Sequence, residues 1–529
     1  MLLFWVTSAM LSQSSTIVDN NTVAANIDTL MQYSYENGMF NGAILVSQDG
    51  KAIYKNALGY ADKNSGRKLN EASVFYLASV SKQFTTMAIM ILKEQKKLSY
   101  DDKLSKYFRE FSDHANTVTI KHLMTHTSGI ADPYYLIYEK GDNNEKKEGS
   151  NDKKKITNRD VKEILLKHNQ LDFQPGEKYS YSNGGYVLLA LIVEEVSDLP
   201  FHEFMETHIF KPLGMNNTFV YHESSPKIEN RAVGHTQASE KDDFFRIFED
   251  FEFFTKGDGG IFSTLDDLHL WDQALYTEKL IPKATLEEAF TQATLNNGAL
   301  IDYGYGWGIF EKDGRKAVHH SGGVPGVRTF LKRNLHNNSG YILLTNYGNA
   351  FNEYGITNAL DDILAGKRYT LPKDPANTGL IGLISLLFSL IFGTIVLLMK
   401  KGTKRHKLFG YAYLICLTIS IIAIFMMYGI FIDWEIYHYT TAVSLLTIIV
   451  GMIPIWIKKP VNSWKYFHFG CMYWSVMGVY ATLAAILSMV PGSPLFGMFG
   501  IAIGVIMITG GIFFGLNISK WREVFSLEK

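Results

Sequence analysis

Cysteine is almost absent from this 529-residue chain: only Cys416 and Cys471 occur, both in apolar stretches of the second half, which excludes a disulfide framework for the first half. Charge of one sign is equally scarce. A formal net charge of -1 with no long basic patch excludes general affinity for nucleic acid. There is no Gly-x-Ser-x-Gly elbow, which excludes the serine chemistry of α/β-hydrolases, and no internal repeat that would announce a solenoid. His122 and His126 stand four apart, as a zinc pair would. However, Leu123 occupies the place of the glutamate in a His-Glu-x-x-His protease, and no third ligand offers itself. Both read as structural histidines, and neither a metal nor a cofactor is expected.

What the chain does contain is Ser79-Val80-Ser81-Lys82 at the head of an apolar helix pattern, Phe84, Met87, Ala88, Ile91 and Leu92. An alcohol is a poor nucleophile near neutrality and needs a neighbour to take its proton as it attacks a carbonyl. A lysine three residues on shares the serine's helix face, and burial lowers its pKa so that the amine can serve as a base. The same spacing occurs at Ser65/Lys68, Ser150/Lys153, Ser224/Lys227 and Ser526/Lys529, all in loop-like surroundings. Only Ser79 follows a strand-like run, residues 74–77, and opens a helix. Tyr181-Ser182-Asn183 follows the turn Gln174-Pro175-Gly176-Glu177 and precedes an apolar helix expected over 187–196. From a helix mouth a phenol can shuttle a proton and an amide can hold a substrate carbonyl.

Further segments in the same order are Gly42-Ala43-Ile44-Leu45-Val46 with the turn Asp49-Gly50, Leu123-Met124-Thr125-His126-Thr127-Ser128-Gly129, Gly259-Gly260-Ile261-Phe262-Ser263 and His320-Ser321-Gly322-Gly323. Together they resemble the serine β-lactamase and penicillin-binding protein superfamily, in particular its class C β-lactamase and D-alanyl-D-alanine carboxypeptidase branch, over roughly residues 25 to 365. The resemblance implies an α/β (α+β) β-lactamase-like domain with an antiparallel sheet flanked by helices plus a helical region. It makes Ser79 the acylated nucleophile, Lys82 its proton-accepting neighbour, Tyr181 a base that also activates water for deacylation, and Asn183 a contact to the substrate amide and to Lys82. His320, Ser321 and Gly322 line the substrate, and the N–H groups of Ser79 and Gly323 form an oxyanion hole. Many members have Lys-Thr-Gly where this chain has His320-Ser321-Gly322. A histidine with a reference pKa of ~6.5 is charged only part of the time near neutrality. With an anionic substrate, activity is therefore expected to fall as pH rises through the His320 titration.

Local patterns agree with the sheet. Residues 41–47 and 52–58 flank Asp49-Gly50 as a hairpin, and 329–335 with 341–346 form a second strand pair. Glu139 to Asp160, with its alternating charges, reads as a solvated surface loop, suited to touch anionic wall polymer or lipid.

From Thr378 five uncharged stretches follow, at 378–399, 408–431, 440–457, 469–490 and 495–516, each near the ~20 residues that cross a bilayer. Their interiors lack Asp, Glu, Lys, Arg and His, which argues for an anchor or partner-binding bundle rather than a transporter. Eleven Lys and Arg residues, from Lys400 to Lys529, fall on one side of these spans, against Lys367, Arg368 and Lys373 on the other. The first group is expected to face the cytoplasm, which places the catalytic domain outside the plasma membrane. Leu2 to Leu11 resembles the core of a signal peptide without the usual basic start. The expected layout is a signal peptide at 1–20, a hydrolase domain at 25–366, a linker at 367–377, five spans at 378–517 and a cytoplasmic tail at 518–529. The expected activity is a membrane-anchored serine hydrolase acting on a small-molecule or cell-wall peptide substrate, a D-amino-acid peptide or ester. A β-lactamase or esterase of the same mechanism, and a slowly deacylating penicillin-binding sensor, are the alternatives.

Overall fold

The apolar run at 42–46 has no polar alternation, the pattern of a strand buried on both faces. In the computed structural model it is one. The structure describes residues 16–17, 22–111, 115–139, 156–237, 244–246, 254–312, 314–348, 351–372, 375–428, 446–447, 449–450, 452–453, 464–489 and 499–526. The chain divides into two units, Met1–Lys373 and Asp374–Lys529.

The first unit is built on a six-stranded antiparallel sheet. Its strands are β1 (Gly42–Gln48), β2 (Lys51–Leu58), β3 (Gly308–Lys312), β4 (Arg315–Val324), β5 (Val327–Asn334) and β6 (Ser339–Thr345), in the order β3-β4-β5-β6-β1-β2. Asp49 and Gly50 both take positive φ, 50° and 74°, as a two-residue hairpin turn between right-twisted strands requires. The expected hairpins are present, each within two residues of its sequence bounds.

Helices α1 (Val23–Glu36) and α4 (Glu353–Leu364) cover one face of the sheet, where Ile27, Leu30, Ile356 and Leu360 meet Ile44, Val46, Tyr341 and Leu343. The alternate residues of the same strands, Ala43, Leu45, Ile342 and Leu344, join a larger core on the other face. That core contains α2 (Lys82–Glu94) and α3 (Asn183–Ser197). The expected apolar stripe on α2 proves too narrow a description: every residue from Lys82 to Leu92 is buried. Its polar members are accordingly hydrogen-bonded. Thr85 donates to the Gly257 carbonyl (2.7 Å), Thr86 to that of Tyr305 (3.0 Å), and Gln83 accepts from Trp271 Nε1 (3.0 Å).

The expected loop from Glu139 to Asp160 is too long at its C-terminal end, and residues 140–155 lie outside the described residues. A helix begins at Asn158, capped by the reciprocal pair Thr157 and Asp160. The expected leader also lies outside them, apart from Thr16–Ile17, which pair with Tyr369–Thr370.

The second unit contains helices at Pro375–Leu398, Lys404–Tyr428, Trp464–Met489 and Phe499–Ser526. Leu386, Tyr413, Leu417, Met472 and Val476 pack together, and the Tyr413 hydroxyl meets Ser475 Oγ at 2.6 Å. Lys401 Nζ caps the first helix on the carbonyls of Val396 and Leu397. Among the described residues one segment, Lys404–Ala423, is long and apolar enough to cross a membrane, with mean hydropathy 1.5; Gly382–Leu398 and Val505–Ser519 are shorter apolar helices. Most of the stretch expected at 440–457 lies outside the described residues.

One buried ion pair fastens β5 to the helix Leu265–Ala274. Arg333, fully buried, donates to Asp272 through Nε (2.5 Å to Oδ1) and Nη2 (3.0 Å to the carbonyl), beneath the Tyr276 ring at 4.3 Å. Removing one member leaves the other buried without a counter-charge, which typically costs about 3–5 kcal/mol. Arg333→Ala is expected to lose stability on that scale, read as a lower urea midpoint at unchanged slope.

Candidate active site

Ser79 stands on a 3-10 turn, Ala78–Ser81, that leads directly into α2. Ala78 takes φ 48°, a left-handed conformation that costs an alanine of order 1–3 kcal/mol and is found where the surrounding fold dictates it. The strand Phe75–Tyr76 on one side and the buried helix on the other hold this bend. Ser79 thereby remains partly accessible while its neighbours Ala78 and Val80 are buried.

Lys82 is fully buried, and its Nζ has three acceptors: Ser79 Oγ at 3.1 Å, Asn183 Oδ1 at 2.8 Å and the Asp258 carbonyl at 2.8 Å. Burial pushes the ammonium down to about 8, while the negative charges of Asp258 and Asp132 hold it up. Asn183 is the first residue of α3. Asp132 Oδ2 accepts both its main-chain N–H and its Nδ2, each at 2.9 Å, which turns the amide oxygen towards Lys82. The Asp258 carboxyl receives the Tyr134 hydroxyl.

Tyr181 completes the group. Its phenol lies beside the Ser79 hydroxyl, and its ring centroid lies 5.0 Å from Lys82 Nζ. The ring remains 37% exposed, so one edge faces the cleft. Burial of the remainder raises the phenol, with the Ser79 hydrogen bond opposing. It therefore holds its proton at physiological pH. The amine of Lys82 loses its proton far more readily.

His320 also departs from expectation. It is buried, and burial together with the Lys82 charge pushes it down to about 3. Nδ1 lies 2.6 Å from the Ser321 carbonyl, which can only accept, so Nδ1 carries the ring proton. Nε2 then accepts from the Tyr303 hydroxyl at 2.9 Å. The ring is neutral throughout the physiological range, which removes the expected titration near neutrality. A sequence shows the histidine but not the low-dielectric pocket that discharges it.

Ser321 is exposed on β4. Gly322 is forced by close approach: a Cβ there would lie 2.4 Å from the Leu77 carbonyl oxygen and 3.1 Å from the Ser79 nitrogen. Thr329 of β5 reinforces the seam by donating to the same Leu77 carbonyl at 2.7 Å. The strand bearing Gly322 and Gly323 is thus pressed against the turn bearing Ser79. Sequence reasoning missed Asp132, Tyr134, Asp258 and Tyr303. The available signal was proximity to the family segments: Asp132 and Tyr134 follow Thr127-Ser128-Gly129, and Asp258 directly precedes Gly259-Gly260.

A serine hydroxyl, a buried lysine of lowered pKa and a phenol in one cleft beside an antiparallel sheet define an acyl-transfer serine hydrolase class. The comparisons narrow this. The beta-lactamase family profile matches residues 23–363, well over half of the chain, and the chain belongs to that family of serine hydrolases. It is 34% identical over 394 residues to penicillin-binding protein 4* of Bacillus subtilis (strain 168), covering 72% of this chain and 84% of that protein. The octameric penicillin-binding protein homologue from Pyrococcus abyssi superposes with TM-score 0.55 at 25% identity, over 65% of this chain and 77% of that one. A D-amino acid amidase from Ochrobactrum anthropi SV3 shares the fold, with TM-score 0.53 at 21% identity over 65% and 98%.

An ammonium cannot accept the serine proton, so Lys82 can serve as a base only as the neutral amine. With its pKa at about 8, the acylation rate is expected to rise with pH, about tenfold per unit at the acid end, and to level above that value. The measurement is kcat/KM against pH with an uncharged ester. A plateau reached already at pH 6 would remove Lys82 as the base.

Proposed function

We propose that this protein is a membrane-anchored, extracytoplasmic serine hydrolase of the class C β-lactamase and D-alanyl-D-alanine carboxypeptidase branch, forming an acyl-enzyme at Ser79. The observation that carries the reading is the buried Lys82 amine 3.1 Å from the Ser79 hydroxyl. Neutral Lys82 takes the proton as Ser79 Oγ bonds to the substrate carbonyl carbon. The N–H groups of Ser79 and Gly323 stabilise the oxyanion, and Asn183 holds the substrate amide. Collapse breaks the bond to the leaving amine or alcohol, which receives that proton through the Tyr181 phenol. Water then attacks the ester and gives its proton to Lys82, and the serine hydroxyl is restored as the acyl product departs.

The substrate class we favour is a D-amino-acid peptide or ester of cell-wall type, with its acyl donor uncharged near the scissile bond. The neutral His320 supports this preference, because no permanent cation stands at that position for a carboxylate. Similarity to a penicillin-binding protein supports the wall-related chemistry. The apolar C-terminal helices, the Lys and Arg asymmetry around them and the segment Lys404–Ala423 support anchoring with the catalytic domain outside.

A membrane-impermeant fluorophosphonate or penicillin probe applied to intact cells is expected to label the parent and not Ser79→Ala. Labelling only after lysis would contradict the orientation, and persistent labelling of the variant would contradict the nucleophile. Substituting His320→Lys is expected to shift kcat/KM towards substrates with a free carboxylate by about 10-fold or more over their amides, a difference of roughly 1.4 kcal/mol. Unchanged selectivity would remove His320 as its determinant.

A further inference from the structure

Segment 126–131 is laced to segment 172–182. The carbonyls of Gly129 and Thr127 accept the N–H groups of Asp172 and Gly176, each at 2.8 Å, and the Ala131 carbonyl accepts the Ser182 hydroxyl at 3.2 Å. His126 makes the contacts nearest the cleft. Its carbonyl accepts the Ser180 N–H at 2.9 Å, and its Nδ1 accepts the Ser182 N–H at 3.1 Å. One histidine thus holds the residues on both sides of Tyr181. Its ring also lies against the Tyr181 ring, centroids 4.1 Å apart at 32°.

The cost of this arrangement shows that packing alone does not explain the residue. His126 has φ 57°, in the left-handed region. A main-chain N–H can only donate, so Nδ1 presents its lone pair and the proton sits on Nε2. That Nε2 is buried without a hydrogen-bond partner among the described residues, with the rings of Tyr303 and Tyr186 at 4.9 and 5.0 Å. A phenylalanine would fill the same space with no orphaned donor. What histidine adds is the acceptor at Nδ1.

We propose that His126 is the positioning residue for Tyr181: its Nδ1 acceptor and ring face together hold the phenol against the Ser79 hydroxyl. This rests on the reading of Ser79, Lys82 and Tyr181 as the reacting groups. Burial, with the charge of Lys82 beside it, keeps the imidazole well below its ordinary pKa, so Nδ1 remains an acceptor over the working range.

The test is a kinetic cycle on the full chain, with a nitrophenyl ester as probe, comparing Tyr181→Phe, His126→Ala and the double variant. Tyr181→Phe is expected to lose roughly 10²–10⁴-fold in kcat as a proton relay is removed. His126→Ala is expected to lose about 10²-fold through misplacement of a reacting group. The double variant should match Tyr181→Phe to within about twofold, because a residue acting through Tyr181 has nothing left to position. Losses that multiply overturn the inference, as does a fully active His126→Ala. Parental rates in Tyr181→Phe itself overturn the underlying reading, a distinct result. Should His126→Ala not fold, His126→Asn, whose amide oxygen can replace the acceptor, is expected to keep most activity. His126→Phe, which keeps only the ring, is expected to be slow, and the reverse order overturns the proposal.

Discussion

A single buried ammonium organises the catalytic half of this chain. Taking Lys82 out of water costs several kcal/mol, and the fall of its pKa to about 8 is the part left uncompensated, about 3 kcal/mol. The remainder is offset by three acceptors that come from a nearby turn, a helix start and a distant loop: Ser79, Asn183 and Asp258. None of these can shift far without stranding the charge. The same contacts that make the burial tolerable therefore fix the positions of the groups around the serine.

The surroundings repeat this logic at one remove. Asp132 sets the orientation of the Asn183 amide, Tyr134 engages the Asp258 carboxyl, and Tyr303 engages the inner nitrogen of His320. Each is a polar group brought into low dielectric and satisfied there, which is the condition under which buried networks specify one arrangement.

Much of this was legible in the sequence where the determinants are local. Ser79 and Lys82 lie on one face because they are three apart, and Asp49-Gly50 makes a hairpin because both residues tolerate positive φ. The parts that were not legible depend on contacts between distant segments. Asp132 is 51 residues from Asn183, and Asp258 is 176 from Lys82, so neither spacing carries a signal. The charge of His320 has the same character: it is decided by the pocket that encloses it. The helix beginning at Asn158 has a local signal, the Thr157 and Asp160 capping pair, set within a run whose charge pattern reads as loop.

The strand order has a consequence for biosynthesis. β6, the last strand of the sheet in sequence, inserts between β5 and the N-terminal β1. A nascent chain that has emerged only as far as Asn338 holds two apolar strand edges, Gly42–Gln48 and Val327–Asn334, each lacking its neighbour. Such open edges are sites of mispairing between chains. The interval before Ser339–Thr345 arrives is thus the moment at which an unfinished chain is most exposed to aggregation, and the one at which a holding chaperone would matter most.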